Sequence, residues 1–160
     1  MTEVLDAIDL EILRHLALDG RAATTRIADE IGLSRPAVSE RIEKLERGGV
    51  IRGTTVIVDP VALGRNVTAF ISARQGAPFD AKAARAFRDL LGSDQILEVH
   101  SVAGEDCYLI KVRTQSIASL NELVSALSAP PLALTTRTTI VMETHVEKLG
   151  GVVLSGKVDA

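Results

Sequence analysis

Aromatic residues and cysteine are the scarce materials of this 160-residue chain, which has no tryptophan, one tyrosine, three phenylalanines and a single cysteine. With Cys107 alone no intrachain disulfide forms, and His15, His100 and His145 are too scattered to give a metal-ligand spacing. Neither a disulfide framework nor a structural metal is expected. The shortage of aromatics also argues against an RNA-reading sheet, which stacks bases on such side chains, since only Phe70 and Tyr108 fall on expected strands. No apolar run approaches the roughly 18 residues of a membrane span. The acidic, helix-patterned start MTEVLDAIDL lacks the basic and then apolar form of a signal peptide. A cytoplasmic protein with no membrane partner is the expectation. Ser-His-Asp sets, paired carboxylates, phosphate-binding glycine loops and dinucleotide fingerprints are missing too, so no catalytic residue and no cofactor is expected.

What the chain does have is the balance of a folded protein, 46% hydrophobic and 24% charged. Its length suits one ordinary domain or two small ones, and small domains bury too little surface to stand alone unless they oligomerise. The net charge is −3, and residues 1–60 carry eight basic against eleven acidic side chains. Between Leu33 and Arg52 the balance reverses, with Arg35, Arg41, Lys44, Arg47 and Arg52 against Glu40, Glu43 and Glu46. Local distribution, more than net charge, decides whether a surface attracts a polyanion.

Residues 1–53 read as three short helices. Leu5, Ile8, Ile12 and Leu16 recur at helical spacing behind Asp6 and Asp9, which offer acceptors to the first unpaired amides, and Leu5 with Leu10 fits a hydrophobic staple. Gly20 stops this helix. A second follows with Thr24 or Thr25 as cap and Ile27, Ala28 and Ile31 as its apolar face, ending at Gly32. Leu33 and Ser34 leave room only for a tight turn, with Ser34 as the next N-cap and Pro36 in the first turn. This third helix runs to about Arg47, where Gly48 and Gly49 end it, and Val38, Ile42 and Leu45 face the other two. The opposite arc, Pro36, Ala37, Glu40, Lys44 and Arg47 flanked by Ser39 and Arg41, can enter a major groove about 12 Å wide. Arg35 and Arg41 suit guanine or phosphate, Ser39 either, and Lys44 and Arg47 the backbone. Geometry alone leaves open a three-helix interaction module whose charged face is merely solvated.

Residues 54–65 begin with TTVIVDP, a β-rich run closed by Asp59-Pro60, read as a linking strand and turn. A wing packed on its own domain is the alternative. From residue 66 to 148 the patterns run strand, helix, strand, strand, helix, strand. The strands are Val67–Arg74, Gln95–Ala103, Cys107–Arg113 and Leu134–Val146; one helix carries Ala83, Phe87, Leu90 and Leu91, the other Ile117, Leu120, Val124 and Leu127, with Asp80 and Ser116 as caps. The fold class is therefore α+β: a helix-turn-helix unit, a linking strand, and a βαββαβ ferredoxin-like domain with both helices on one sheet face. The bare face needs a cover, and a second copy of the chain is the simplest. The tail, residues 149–160, reads as an added edge strand or as disordered chain.

The runs LDAIDLEIL and IADEIGLSRPAVSERIEKLERGGVIRG, followed by VHSVAGEDCYLIKVRT and TTRTTIVMETHV, resemble the Lrp/AsnC (leucine-responsive, feast/famine) transcription regulators over residues 5–146. The resemblance implies double-stranded DNA as partner, read through Ser34, Arg35, Pro36, Ala37, Ser39, Glu40, Arg41, Lys44 and Arg47. It implies a RAM-type C-terminal domain that dimerises through its sheet, a linking strand that pairs across the dimer, and homodimers that join into tetramers, octamers or larger assemblies. It also implies an amino-acid effector held between dimers by Ser101, Val102, Ala103, Gly104, Glu105, Asp106, Cys107, Thr136, Thr138, Thr139 and Ile140. Members that respond to amino acids often carry an aspartate just before the residue matching Tyr108, where this chain has Cys107; Glu105 or Asp106 is then left as counter-charge for an effector's ammonium group. Gly104 has a purely structural reading as well, since a strand-to-strand turn asks for glycine. Two rivals stand beside regulation. One is a sirohaem-type tetrapyrrole decarboxylase of the same architecture, for which His100 with Arg74 or Arg113 would be the acid and carboxylate-binding set; the other is an interaction protein that does not bind DNA.

Overall fold

Each helix of the N-terminal unit starts where the preceding residues deal with its unpaired amides. The computed structural model describes residues 5–147, and the expected tail at 149–160 lies outside them. α1 spans Ala7–Leu18 behind a reciprocal box in which Asp6 Oδ1 accepts the Asp9 amide at 2.8 Å and Asp9 Oδ2 accepts the Asp6 amide at 3.2 Å. α2, Thr24–Ile31, follows Ala23 and has no side-chain cap, so neither Thr24 nor Thr25 plays the part the sequence suggests. The reason is local: Asp19 folds the incoming loop by accepting the Arg21 amide on its side chain and the Ala22 amide on its carbonyl, and the chain enters the helix already at Thr24. α3, Arg35–Arg47, is capped by Ser34 as expected. Ile12, Ile27, Ala28, Val38 and Leu45 form the buried core of this unit, with Leu5, Ile8, Leu16, Ile31 and Ile42 packed around it.

Residues 5–57 make one compact unit and Val58–Val146 the other. Between them, the linking strand expected at residues 54–58 does not form, because a strand exists only through ladder partners and no described segment of the same chain pairs with this one. Val56, Ile57 and Val58 are left 77%, 73% and 50% exposed. The turn after it forms as read: Asp59 Oδ1 accepts the Val61 amide, and the Pro60 carbonyl accepts those of Leu63 and Arg65.

The C-terminal unit has β1 (Val67–Arg74), α4 (Ala81–Leu91), β2 (Ile96–Ser101), β3 (Tyr108–Thr114), α5 (Ile117–Ser128) and β4 (Thr135–Ile140). Its sheet is antiparallel throughout in the order β2-β3-β1-β4, the α+β ferredoxin-like arrangement expected. One face packs Ala69, Ile71 and Ala73 of β1 and Ile110 and Val112 of β3 against Leu120, Leu123 and Leu127 of α5 and Ala83 of α4. Phe79, Phe87 and Tyr108 close one part of this core, with ring centroids 4.9–6.4 Å apart. Two residues of the apolar patterns read on these helices are exposed instead: Leu91, the last residue of α4, and Ile117, the first residue of α5. Leu123, absent from the pattern read on α5, joins Leu120 and Leu127 in the core. β4 stops at Ile140, short of the expected Val146, and Met142 and Val146 are exposed. No helix among the described residues is long and apolar enough to cross a membrane.

Candidate functional site

The turn joining α2 to α3 is three residues long because Gly32 takes φ +71°, a left-handed conformation that side chains with a Cβ resist. Its amide and that of Leu33 both reach the Ala28 carbonyl, and Ser34 Oγ accepts the Ala37 amide at 3.4 Å. α3 is thereby fixed at its start. With Val38 and Leu45 buried and Ile42 packed beside them, the side turned away from the core carries Arg35, Pro36, Glu40, Lys44 and Arg47, all exposed, with Ala37 and Ser39 half-buried at its margins. Arg47 pairs with Glu43 one turn back at 3.4 Å, an exposed i,i+4 contact. The outward arc read from the sequence is thus one continuous surface.

Arg41 stands apart from that surface. Its Nη1 donates to Asp6 Oδ2 and to Asp9 Oδ1, each at 2.7 Å, and so ties α3 to the start of α1. The Asp9 amide and the Arg41 guanidinium hold the Asp6 carboxyl below its ordinary value of 3.8, and the Arg41 pKa is raised in return. The sequence marks Asp6 and Asp9 as helix caps but gives no sign of a partner more than 30 residues away. A second polar tie missed by sequence is buried His15, whose Nδ1 lies 3.2 Å from Glu30 Oε2 across α1 and α2. Because the folded value of Asp6 is lowered, the stability it contributes is full above its unfolded value and disappears as pH falls through the folded one. The melting temperature of the first unit is therefore expected to drop below about pH 4, and Asp6→Asn to blunt that acid sensitivity. Circular dichroism melts across this range check it; parallel pH profiles for the two proteins would refute it.

In the C-terminal unit, the residues expected at the effector site divide between two places. Ser101 ends β2 and Val102–Cys107 form the β2–β3 connection, where the Val102 amide reaches the Cys107 carbonyl and the Cys107 amide the Ala73 carbonyl. Gly104 has φ +136° and open space where a Cβ would stand, so the turn alone accounts for glycine there. Asp106 accepts from Arg137 Nη2 of β4 at 3.0 Å, Glu105 is exposed, and Cys107 Sγ accepts the Gln75 amide at 3.4 Å. On β4, Thr136, Thr138 and Ile140 pair with Ala73, Ile71 and Ala69 and share their helix-covered face, while Thr139 pairs with Phe70 on the opposite one. Arg137, not foreseen, links β4 to the loop.

The bare sheet face carries Phe70 and Leu109 among polar side chains. There Glu98 receives His100 Nε2 at 3.2 Å and Lys111 Nζ at 3.3 Å, the first and then the second of which hold its carboxyl below the usual range. His100 sits opposite Leu109, four residues along β3 from Arg113, whose Nε donates to Thr68. Arg74 lies at the other end of β1 from Thr68. The histidine and arginines that decarboxylation would require are not gathered.

Comparison with known proteins agrees with both units. The AsnC-type helix-turn-helix domain matches residues 5–46, and the Lrp/AsnC ligand binding domain matches residues 68–150. The HTH-type transcriptional regulator FL11 of Pyrococcus abyssi is 36% identical over 143 residues, 89% of this chain and 93% of that one. The regulator LrpA of Mycobacterium tuberculosis is 34% identical over 144 residues, covering 90% and 94%. The structure of Escherichia coli AsnC superposes with a TM-score of 0.82 at 26% identity, over 96% of this chain and all of that one. A Neisseria meningitidis transcriptional regulator in complex with L-methionine shares the fold, with a TM-score of 0.81 at 19% identity over 91% of this chain and 95% of that one. These relatives are regulators, and the decarboxylase alternative finds no support in them. The chain belongs to the Lrp/AsnC family: it is a DNA-binding transcription regulator that joins an AsnC-type helix-turn-helix to an Lrp/AsnC ligand-binding domain.

Proposed function

We propose that α3 enters the major groove and reads a specific operator through Ser34, Arg35, Pro36, Ala37, Ser39, Glu40, Lys44 and Arg47. The observation that carries this reading is Arg35. It stands exposed at the first helical position, where the helix dipole disfavours a cation, and makes no ion pair among the described residues. Stability does not account for it; a phosphate or a guanine edge does. The small Ala37 and Ser39 let the backbone approach closely, and Lys44 and Arg47 extend the positive surface along the helix. A homodimer, formed through the bare sheet face and the exposed segment at 54–58, presents two such helices to half-sites about one helical turn, or a multiple of it, apart. Dimers join into tetramers, octamers or larger assemblies, and the protein works in the cytoplasm, where its DNA is.

An amino acid is the effector that the C-terminal unit suits. The Neisseria regulator that shares this fold is a complex with L-methionine. The β2–β3 loop brings to one end of the sheet the backbone amides around Gly104 and the Asp106–Arg137 pair, which offers both signs of charge to a zwitterion. Threonines 136, 138 and 139 and Ile140 lie on β4, the strand that carries Arg137. A site between dimers couples effector to assembly because only one arrangement presents both walls.

A mobility-shift titration with DNA from the gene's own upstream region, across salt concentrations and with amino acids added singly, tests both levels. Specific retardation that weakens steeply with salt supports the operator reading. Retardation no stronger than with competitor DNA would instead favour an interaction protein. Gly104→Asp is expected to abolish the response to whichever amino acid shifts the wild type, while basal DNA affinity stays within about twofold, a few tenths of a kcal/mol. A normal response in that variant would return Gly104 to a turn residue.

A further inference from the structure

The box that starts α1 has two carboxylate oxygens left over, and both go to one arginine of α3. Asp6 Oδ1 and Asp9 Oδ2 accept each other's backbone amides, while Asp6 Oδ2 and Asp9 Oδ1 accept Nη1 of Arg41, each at 2.7 Å. Asp9 is only 6% exposed. Water therefore has little access to its carboxylate, and an Arg41 that swung out to a phosphate would strand a buried anion. Among the described residues nothing comparable restrains Arg35, and Arg47 has only its exposed contact with Glu43.

We infer that Arg41 is a positioning residue: it sets the rotation of α3 about its own axis by clamping the helix to Asp6 and Asp9, which thereby belong to the DNA-reading machinery. This rests on the reading of α3 as the DNA-contacting helix. Val38, Ile42 and Leu45 hold α3 by apolar contacts, which have no direction, whereas charge-assisted hydrogen bonds are directional and fix an angle. Side chains reach about 5–6 Å from a helix axis, so a rotation of about 10° displaces the outward arc by about 1 Å. That is enough to spoil a bidentate contact to a base.

Affinity is measured across salt with the full chain, for a duplex from its own upstream region and a random duplex of equal length. The proteins are wild type, Asp6→Asn, Asp9→Asn, Arg41→Met and the Asp9→Asn/Arg41→Met double. If breaking the clamp leaves α3 correctly placed about a tenth of the time, affinity for the upstream duplex falls about tenfold for each α3 engaged in Asp9→Asn and Arg41→Met. A smaller decrease, about threefold, is expected in Asp6→Asn, and the double is no weaker than the worse single. The salt slope stays that of the wild type. Both asparagine variants remove negative charge, which by charge alone strengthens DNA binding, so weakening reports geometry.

Tighter binding by Asp6→Asn and Asp9→Asn, with a salt slope reduced by about one per copy bound in Arg41→Met, would overturn the inference and make Arg41 a phosphate contact that the aspartates mask. Asparagine caps helices as well as aspartate does, so Asp6→Asn keeps α1 intact. Its sign decides the matter if Asp9→Asn proves unfolded by circular dichroism. A wild type that binds both duplexes alike would overturn the operator reading, and this inference with it.

Discussion

Replacing Arg35 and Arg47 together by alanine is expected to lower specific operator affinity at least about a hundredfold and to flatten its salt dependence by about one unit of slope for each phosphate no longer neutralised. Both side chains are on the exposed side of α3, and neither contributes to the core built on Val38 and Leu45. The one ion pair removed among the described residues, Arg47–Glu43, is 69% and 65% exposed and is a surface interaction worth about 0.3–0.5 kcal/mol. Alanine is the better helix former, and at the first helical position it relieves a cation that opposes the dipole. The variant therefore stays folded, and its weaker binding comes from the DNA interface itself. The two residues separate by readout. If Arg35 holds a guanine edge, Arg35→Ala alone levels the affinities for the operator and for one altered at that base, whereas a phosphate-bound Arg35 would, on removal, weaken both equally and lower the slope. Fluorescence anisotropy against operator and random DNA over a range of salt makes the measurement. Unchanged affinity in the double variant would remove α3 from the interface.

Much of this is legible in the sequence because local chemistry settles it. Asp6, Ser34, Asp80 and Ser116 cap their helices as read, since an N-cap depends on residues three positions apart. The strand β1 has the bounds that its alternation predicts. What escapes a reading of the sequence depends on distance or on a partner. The clamp of Arg41 on Asp6 and Asp9, and the pair of Asp106 with Arg137, join residues more than 30 positions apart, and no local pattern announces such a meeting. On β4 the alternation separates Thr139 from Thr136 and Thr138, a consequence of period-two geometry that closeness in sequence conceals. The segment at 54–58 has strand chemistry and no strand: the alternating Thr, Val and Ile are right, but no ladder partner lies among the described residues of the same chain.

That missing partner gives the second large effect. For the proposed homodimer, Val56→Asp together with Val58→Asp is expected to give monomers and to weaken operator binding by about 10²–10⁴-fold, the avidity that vanishes when two linked half-sites are no longer engaged together. Neither valine is among the residues packed in either core, and at 77% and 50% exposure both are open to water in the single chain. Exposed apolar side chains of strand-forming type on a backbone with no ladder partner invite a second strand, and charge on that backbone prevents the pairing. Sedimentation velocity at micromolar concentration reads the mass directly. A native mass in the double variant would place the oligomer's interface on the sheet face alone, with the segment a mere tether. The two double variants are expected to fail in different ways. Without Arg35 and Arg47 the mass is unchanged and every α3 binds weakly. Without Val56 and Val58 each α3 keeps its own hold on DNA, and the salt slope falls by about half because one copy meets the DNA in place of two.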